Sequence, residues 1–212
     1  MKIIIPENLS EATVGQYKKF AKIVEENPDN EEFLAMKMIE VFCNISMNEV
    51  KQIPAKDVDD IVATLNKTFE SKRKFKQRVM FNGKEYGFIP DLENISMGEY
   101  VDMSAYIEGT ENLDKLMAVL YRPIKYKSKE LYSIEKYDPK PEKDMLMNDF
   151  PLDVALEGQG FFLTLSEDLL RNLTDCLPKE QHKETKRRLG KSGGGIKAFT
   201  QSLRATFSSL TR

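Results

Sequence analysis

The sequence is poor in the residues that most often carry chemistry. Its 212 residues include no tryptophan, one histidine and two cysteines. Zinc centres draw on clusters of Cys and His, so this inventory argues against one. The single histidine, His182, lies in the polar stretch KEQHKETKRR without a triad partner nearby, and we interpret it as an isolated surface side chain. Cys43 and Cys176 are expected to be free buried thiols in a reducing compartment.

Long apolar runs are also missing. The longest are short segments such as Ile3 to Ile5 and Phe161 to Leu163, whereas a membrane span needs roughly 18 to 20 apolar residues. We therefore expect no membrane span. The first residues, MKIIIPENLS, contain an apolar run too short for a secretory signal. We expect an intracellular protein that is not secreted by a signal peptide.

Catalytic and nucleotide-binding signatures are absent from the sequence. It has no Gly-x-Gly-x-x-Gly, no phosphate-binding Gly-x-x-x-x-Gly-Lys-Ser/Thr and no Gly-x-Ser-x-Gly. The 34 carboxylates are scattered. An enzyme with carboxylate chemistry is an alternative function, and Asp149, Asp153 and Glu157 are its candidate residues. Because these residues lack a nucleophile or a metal partner, we interpret them as solvated caps around Pro151. The sequence predicts no catalytic residue, no metal site and no cofactor.

Charge is distributed unevenly along the chain. The net charge is −2, but residues 179–212 hold nine basic and two acidic side chains, a net of +7. The remaining residues hold 23 basic and 32 acidic side chains, a net of −9. A cationic tail of this kind neutralises phosphates or docks on an acidic protein surface, and a third interpretation is a solvated linker. A second basic run, Lys67 to Arg78, lies at a predicted helix end, where it complements the helix dipole.

Helical spacing dominates the first third of the chain. Ile3 to Ile5, closed by Pro6, predicts a strand or an extended arm. Four helices are predicted next, each from its apolar periodicity and its starting and stopping residues. They cover Thr13 to about Asn27, Glu31 to Cys43, a short helix opened by Ser46, and about Lys56 to Glu70.

The pattern then changes to a hairpin and returns to helices. Asn82-Gly83 between two apolar runs, 77–81 and 84–89, predicts a β-hairpin with a type I′ turn. Helices are predicted from Ser96 and over Asn112 to Tyr121. The segment Lys125 to Lys143, which interleaves Lys with Tyr, is predicted to be a loop. It is either a partner-binding loop or ordinary loop packing. Residues 151–156 and 161–177 predict a buried helix that Gly158 and Gly160 are expected to break.

The predicted fold class is therefore α+β, predominantly α-helical, with one small β-hairpin or sheet. We divide the chain into an acidic, mostly helical body (1–178), a basic Gly-rich linker (179–195) and a C-terminal amphipathic helix (196–212). The Gly193-Gly194-Gly195 joint precedes apolar residues spaced three and four apart. These residues are the predicted partner-binding set: Ile196, Phe199, Leu203, Phe207 and Leu210.

One helix-start pattern recurs in the chain. Asn44 to Val50 and Asn94 to Tyr100 match at five of seven positions, and Thr13 to Tyr17 is a looser third copy. Each places Ser or Thr as a cap and Glu or Gln three residues later, which is a capping box. Convergence on this chemistry is the favoured explanation, and a diverged duplication is the alternative.

The order of several segments resembles a known class of proteins. The segments are TVGQYKKF, RVMFNGKEYGFIPDLENISMGEYVDM, NLDKLMAVLYRPI, FPLDVALEGQGFFLTLSEDLL and the Gly-rich basic tail. Together they resemble a poorly characterised family of tailed-bacteriophage structural or assembly proteins, and the second is similar to tail assembly chaperones. The resemblance covers Thr13 to Arg212, with LMAVLYRPI and PLDVAL…FFLTL as its distinctive pieces. A crAss-like or other short-tailed phage is the conjectured group.

The resemblance implies a non-enzymatic minor virion or virion-assembly protein. It would bind other phage proteins at the portal, neck, tail or capsid interior, as a structural component, packaged cargo or assembly chaperone. Its location would be the virion, the host cytoplasm or both. Its working surfaces would be the C-terminal amphipathic helix and the hairpin. The alternative for this helix is that it folds back on the core of its own chain, which the triple-Gly joint permits equally. Self-association is a further expectation. The alternative function is sequence-independent nucleic-acid binding, with the protein packaged beside the genomic DNA. Its contacts would be Lys183, Lys186, Arg187, Arg188 and Lys191.

Overall fold

A computed structural model describes residues 2–92, 94–129 and 131–175, with side chains described to residue 164 outside those gaps. The described chain is an α+β fold in which helices predominate, as predicted. Its helices are α1 (Val14–Glu26), α2 (Glu31–Phe42), α3 (Met47–Val50), α4 (Ala55–Glu70), α5 (Met97–Tyr106), α6 (Leu113–Leu120), α7 (Pro141–Leu146) and α8 (Leu152–Asp175). Its strands are β1 (Arg78–Phe81), β2 (Lys84–Phe88), β3 (Tyr121–Ser128) and β4 (Leu131–Ile134).

The predicted helix starts are confirmed by their hydrogen bonds. Thr13, Ser46 and Ser96 each form a capping box with the residue three positions later. In each box the hydroxyl accepts from one backbone N–H and the Glu or Gln accepts from another, which satisfies two donors that the first turn leaves unpaired. The Ile3 to Ile5 segment is an extended arm: Ile3 and Ile5 pack against the core while Ile4 is exposed.

The four strands form one antiparallel sheet in the order β1-β2-β3-β4. The predicted hairpin is present, since Asn82 and Gly83 both take positive φ, 47° and 72°, as a type I′ turn requires. Helices α5 and α6 lie in the connection between β2 and β3. The sheet therefore brings together two hairpins that are separated in sequence by two helices.

The loop prediction for Lys125 to Lys143 is wrong. This segment contains the second half of β3, all of β4 and the first half of helix α7. Its strands pair with each other as a second hairpin, and the residues of β3 that precede the segment pair with β2 across the α5–α6 insertion. Tyr132 stabilises the arrangement by donating a hydrogen bond to the carbonyl of Phe88 at 2.7 Å. The sequence did not predict these strands, because the second half of β3 is rich in lysine, is exposed and shows no alternation of apolar residues.

The predicted break at Gly158 and Gly160 is also wrong, because α8 is continuous through both. Helix α8 begins beside the start of α1. The N–H of Val14 donates to the carbonyl of Phe150, and the N–H of Leu152 donates to the carbonyl of Ala12, both at 3.0 Å. Gly158 then lies against the ring of Tyr121. Packing on a neighbour outweighs the helix cost of a glycine, which is about 1 kcal/mol.

The core is centred on α6, which packs against α1, α5, α7 and α8. Leu116, Met117 and Leu120 of α6 are fully buried. Elsewhere in the core, aromatic rings pack in edge-to-face pairs, such as Phe42 of α2 with Phe69 of α4 at 4.8 Å between centroids. Helix α5 lies against α6, and the side of α5 that carries Met97, Tyr100 and Val101 is exposed.

Of the two cysteines, only Cys43 lies in the described part. It is a free, buried thiol, as predicted. Burial raises the pKa of Cys43 to about 11, so the thiol stays protonated at neutral pH. Cys176 and His182 lie outside the described residues.

Candidate protein-binding surface

Helix α5 presents apolar side chains on two opposite sides. Met103 points into the core and is 1% exposed, whereas Met97, Tyr100 and Val101 are 74%, 56% and 49% exposed. Ser104 and Ala105 continue the exposed stripe one turn further. Residues three and four apart lie on one side of a helix. We call these five residues, Met97, Tyr100, Val101, Ser104 and Ala105, the outer face of α5.

The outer face of α5 contains no charged side chain. Scattered exposed apolar residues are ordinary, but three large ones within two turns of one helix form a contiguous stripe. Small residues beside large ones allow another helix to approach closely and to pack its side chains between them. The stripe therefore has the composition of a helix-docking surface.

The first turn of α5 is fixed by hydrogen bonds on its inner side. The hydroxyl of Ser96 accepts from the N–H of Glu99 at 3.3 Å, and the Glu99 carboxylate accepts from the N–H of Ser96 at 2.7 Å. The other carboxylate oxygen accepts from the guanidinium of Arg122 on β3. Both side chains of this ion pair are 9% exposed. One glutamate thus caps the helix and attaches it to the sheet.

Tyr137, which follows β4, supports the same corner. Its hydroxyl donates to the carboxylate of Asp102 on α5. The Arg122 guanidinium lies over the Tyr137 ring, 5.7 Å from its centroid, a cation–π geometry. These contacts hold α5 from its inner and lateral sides. The outer face is consequently rigid in position while it remains exposed, which is the condition that a preformed binding surface requires.

The electrostatics of this corner favour the charged form of Glu99. Burial acts to raise the pKa of Glu99, but the hydrogen bonds from Ser96 and the nearby Arg122 charge outweigh it and hold the pKa below its ordinary value. Burial, together with the hydrogen bond to Asp102, raises the pKa of Tyr137. At neutral pH Glu99 is therefore ionised and the Tyr137 hydroxyl is protonated. The ion pair between Glu99 and Arg122 is intact at that pH.

The chain around α5 is strongly acidic. Residues 85–114 contain eight Asp and Glu side chains and no Lys or Arg. Cations from other elements pair with Glu85, Asp114 and Glu99: Lys127 with Glu85 at 2.9 Å, Lys18 with Asp114 at 2.6 Å, and Arg122 with Glu99. This run of thirty residues without Lys or Arg is visible in the sequence. It was not predicted, because the net charge was summed over residues 1–178.

Among the described residues, the other exposed large apolar side chains are dispersed over the N-terminal arm, the sheet, α7 and α8. Met80 on β1, Tyr126 on β3 and Leu131 on β4 are each more than half exposed. The predicted hairpin surface thus offers Met80 as its exposed large apolar residue. The tyrosines of the segment Lys125 to Lys143 differ in their surroundings. Tyr132 and Tyr137 pack within the fold, whereas Tyr126 is 78% exposed.

Two of the three alternative carboxylates form ion pairs, and the third, Asp149, is exposed. Asp153 pairs with Lys76 at 2.7 Å and Glu157 pairs with Arg73 at 3.2 Å. Arg73 also donates to the carbonyl of Phe69 at 2.8 Å, near the end of α4, as expected of a cation at a helix C-terminus. Asp153 and Glu157 are therefore structural links between α8 and the basic run, and the solvated-cap interpretation is wrong for both.

All ten predicted binding residues lie outside the described part of the chain. They are the apolar set Ile196, Phe199, Leu203, Phe207 and Leu210 and the basic set Lys183, Lys186, Arg187, Arg188 and Lys191. The predicted domain boundary at 178, the linker and the C-terminal helix lie there as well. The function assigned to these residues stays a prediction.

In the described part of the chain, no group of three or more His, Cys, Asp or Glu side chains is placed to hold a metal ion. Among the helices described, none combines the length and apolar content that a membrane crossing requires. No protein-family model, curated protein or solved structure matches this chain.

Proposed function

We propose that this chain is a non-enzymatic minor virion or virion-assembly protein of a tailed phage. It acts by binding other phage proteins at the portal, neck, tail or capsid interior, as a structural component, a packaged cargo or an assembly chaperone. The phage assignment is supported by the sequence resemblance. The binding role is supported by one observation above the others: the outer face of α5 is apolar, held rigidly from behind and exposed.

A binding experiment tests the role of this surface. The full chain is co-expressed with each portal, neck, tail and capsid protein of the same genome, and complexes are isolated by size-exclusion chromatography. We expect one of these proteins to co-elute with the native chain. The double variant Tyr100→Glu, Val101→Glu is expected to lose the complex, since two charges on an apolar interface remain desolvated and unpaired.

The matched control is Leu131→Glu, which adds a charge at an exposed apolar position on β4. It is expected to keep the complex. Loss of binding in Leu131→Glu with retention in the double variant would assign the interaction to the sheet. A chain that binds none of the phage proteins would contradict the proposal.

The stage of action is tested by quantitative mass spectrometry of purified virions. Many copies per particle support a structural or packaged role, whereas complete absence supports an assembly chaperone. Finding that the gene lies outside any phage genome would refute the phage assignment in either case.

A second candidate function, sequence-independent binding to genomic DNA, is favoured by the +7 net charge of residues 179–212. Binding through phosphates weakens steeply with salt, by about 10³-fold or more between 50 and 200 mM for six or more contacts. Replacing the five residues of the predicted basic set with Gln is expected to abolish binding. Affinity that survives this replacement would exclude the basic set as the DNA-binding element, and affinity that survives deletion of residues 179–212 would exclude the tail.

A further inference from the structure

We infer that the tip of the β3–β4 hairpin, residues 125–129, is a binding site for single-stranded nucleic acid. Tyr126 stacks on an unpaired base there, and Lys125, Lys127 and Lys129 contact the phosphates. The site uses no residue of the outer face of α5 and none of the tail, so it does not depend on the proposed function. Three features of the hairpin support the inference: its exposure, its aromatic ring and its charge.

The tip of the hairpin extends beyond the rest of the sheet. Residues 125–129 are all exposed, whereas Tyr121 and Arg122, at the start of β3, are buried. The last residue of β3 that pairs with β2 is Pro123, and from there to the tip β3 pairs with β4 alone. A ligand can therefore approach this two-stranded part of the sheet directly from solvent.

Tyr126 is an exposed aromatic side chain. It is 78% exposed and makes no hydrogen bond or ring contact with any other described residue. Tyr132 and Tyr137, in contrast, donate hydrogen bonds within the fold. Ser133 lies opposite Tyr126 in the ladder, and this small side chain leaves the ring uncovered. An exposed ring of this kind stacks on any base, because every base has a π-face.

Lysines flank this ring along the strand. Lys125 and Lys129 are exposed and form no ion pair with any residue that the structure describes. Lys127 pairs with Glu85 at 2.9 Å, and its side chain is still 45% exposed. Residues 124–136 hold four lysines and two glutamates, a net charge of +2, although the body as a whole is acidic. Phosphates are attracted to such a local positive charge, and each contact releases a counterion.

The backbone places these cations on both sides of the ring. The register shifts between Ile124 and Tyr126, so Lys125 is the extra residue of a β-bulge, and a bulge changes the direction of a side chain. Lys129 lies in the turn, with a φ of 55°. Four residues of strand span about 13 Å, the length of about four stacked nucleotides.

The combination of ring and cations selects the class of ligand. An acidic protein surface would pair with the lysines and leave Tyr126 without a contact. In a duplex the bases are already stacked on one another, so the ring would find no free face. Unpaired bases on a phosphate backbone satisfy both kinds of side chain.

Fluorescence anisotropy with a labelled oligothymidylate, about 12 nucleotides long, tests the inference. The parent protein is the full chain with Gln at the five positions of the predicted basic set, so that those residues do not contribute. We expect the parent to bind the oligomer. Tyr126→Ala is expected to weaken binding by roughly 5- to 150-fold, the range measured for one stacked base. Tyr126→Phe keeps the ring and is expected to bind like the parent.

The salt dependence of binding tests the lysines. The variant Lys125→Gln, Lys129→Gln is expected to reduce the slope of log affinity against log salt by about 1.4, since each phosphate contact contributes about 0.7 on a single strand. The matched control is Lys51→Gln, Lys56→Gln, which removes two exposed lysines at the α3–α4 connection. It is expected to leave the slope unchanged, and an equal change in both variants would overturn the assignment to the hairpin.

An abasic oligomer of the same length separates stacking from charge. It is expected to bind the parent about as weakly as oligothymidylate binds Tyr126→Ala. Equal affinity of the parent for both oligomers, no loss of affinity in Tyr126→Ala, or no binding at all would overturn the inference. So would displacement of the oligomer by polyglutamate at equal charge concentration, which would assign the hairpin to an acidic protein. Tyr126→Ala leaves α5 intact, so each proposal can fail while the other stands.

Discussion

Gly158 shows how a single residue acquires its role from a distant contact. A Cβ atom at this position would lie 2.8 Å from Cε2 of Tyr121. Tyr121 is fully buried, and its hydroxyl donates to the carbonyl of Lys76 at 2.8 Å. The ring therefore has little freedom to move, and the glycine is a site of close packing within a continuous helix.

Gly158→Ala is expected to lower the free energy of unfolding by about 1–3 kcal/mol, because the overpacking exceeds the gain in helix propensity. Gly160→Ala is the control: nothing lies within 4 Å of its Cβ position, so it is expected to gain up to about 1 kcal/mol. Urea unfolding monitored by circular dichroism measures both. Equal effects of the two substitutions would exclude Tyr121 as the cause.

Glu99 and Glu49 form the same capping box in different surroundings. Glu49 is exposed, whereas Glu99 is buried and pairs with Arg122. Glu99→Gln is expected to cost about 3 kcal/mol or more, because it leaves a buried guanidinium without its counter-ion. Glu49→Gln keeps a capping side chain and is expected to cost far less. Chemical denaturation at neutral pH compares them.

The lowered pKa of Glu99 also predicts the direction of a pH effect. A folded-state pKa below the unfolded value means that the stabilisation is complete above the unfolded pKa, about 4.3, and is lost as pH falls through the folded pKa. The native chain should therefore lose stability below about pH 4 more steeply than Glu99→Gln does. If the stability of the two proteins fell equally below about pH 4, the Glu99–Arg122 pair would make no contribution in that range.

At the scale of elements, local chemistry explains the helix starts and the first hairpin. Three capping boxes and one Asn-Gly turn are each contained within a few residues, so their sequence signals survive without tertiary information. Strands β3 and β4 have no comparable signal. The first residues of β3 pair with β2 after an insertion of two helices, and the rest of β3 pairs with β4.

Gly83→Ala tests the turn of the first hairpin. Nothing lies within 4 Å of the Cβ position, while φ is +72°, so the cost is conformational and is expected to be about 1 kcal/mol. Gly98→Ala in α5 is the control, because its Cβ would make an ordinary 3.5 Å contact with Tyr137. Thermal unfolding measures both variants. We expect a lower Tm for Gly83→Ala and an unchanged or higher Tm for Gly98→Ala.

At the scale of the whole molecule, α8 is joined to the α4–β1 connection by two ion pairs. Arg73 has the larger role, because it pairs with Glu157 and also donates to the end of α4. Lys76 is about half exposed in its pair with Asp153, and such pairs contribute at most about 1 kcal/mol. The basic run therefore connects helices and is only partly available to an external anion.

Arg73→Met is expected to reduce the free energy of unfolding by about 1 kcal/mol and Lys76→Met by less. The difference arises from the helix-end carbonyl that only Arg73 contacts. Urea titrations at low and high salt separate the contributions: the ion-pair part of each effect should shrink with salt, and the Arg73 hydrogen bond should persist. A larger effect at Lys76 would contradict this assignment.

The sequence by itself determined the fold class, the helix starts, the Asn-Gly hairpin and the buried thiol of Cys43. Each depends on residues within about one turn of the chain, where spacing and side-chain chemistry suffice. Only the tertiary structure decided that Lys125 to Lys143 contains strands, that α8 passes through Gly158, and that α5 has an uncovered apolar side. Met97, Tyr100 and Met103 look alike in a hydropathy pattern. Which of them is buried depends on α6 and β3, elements that reach α5 only after the chain has folded.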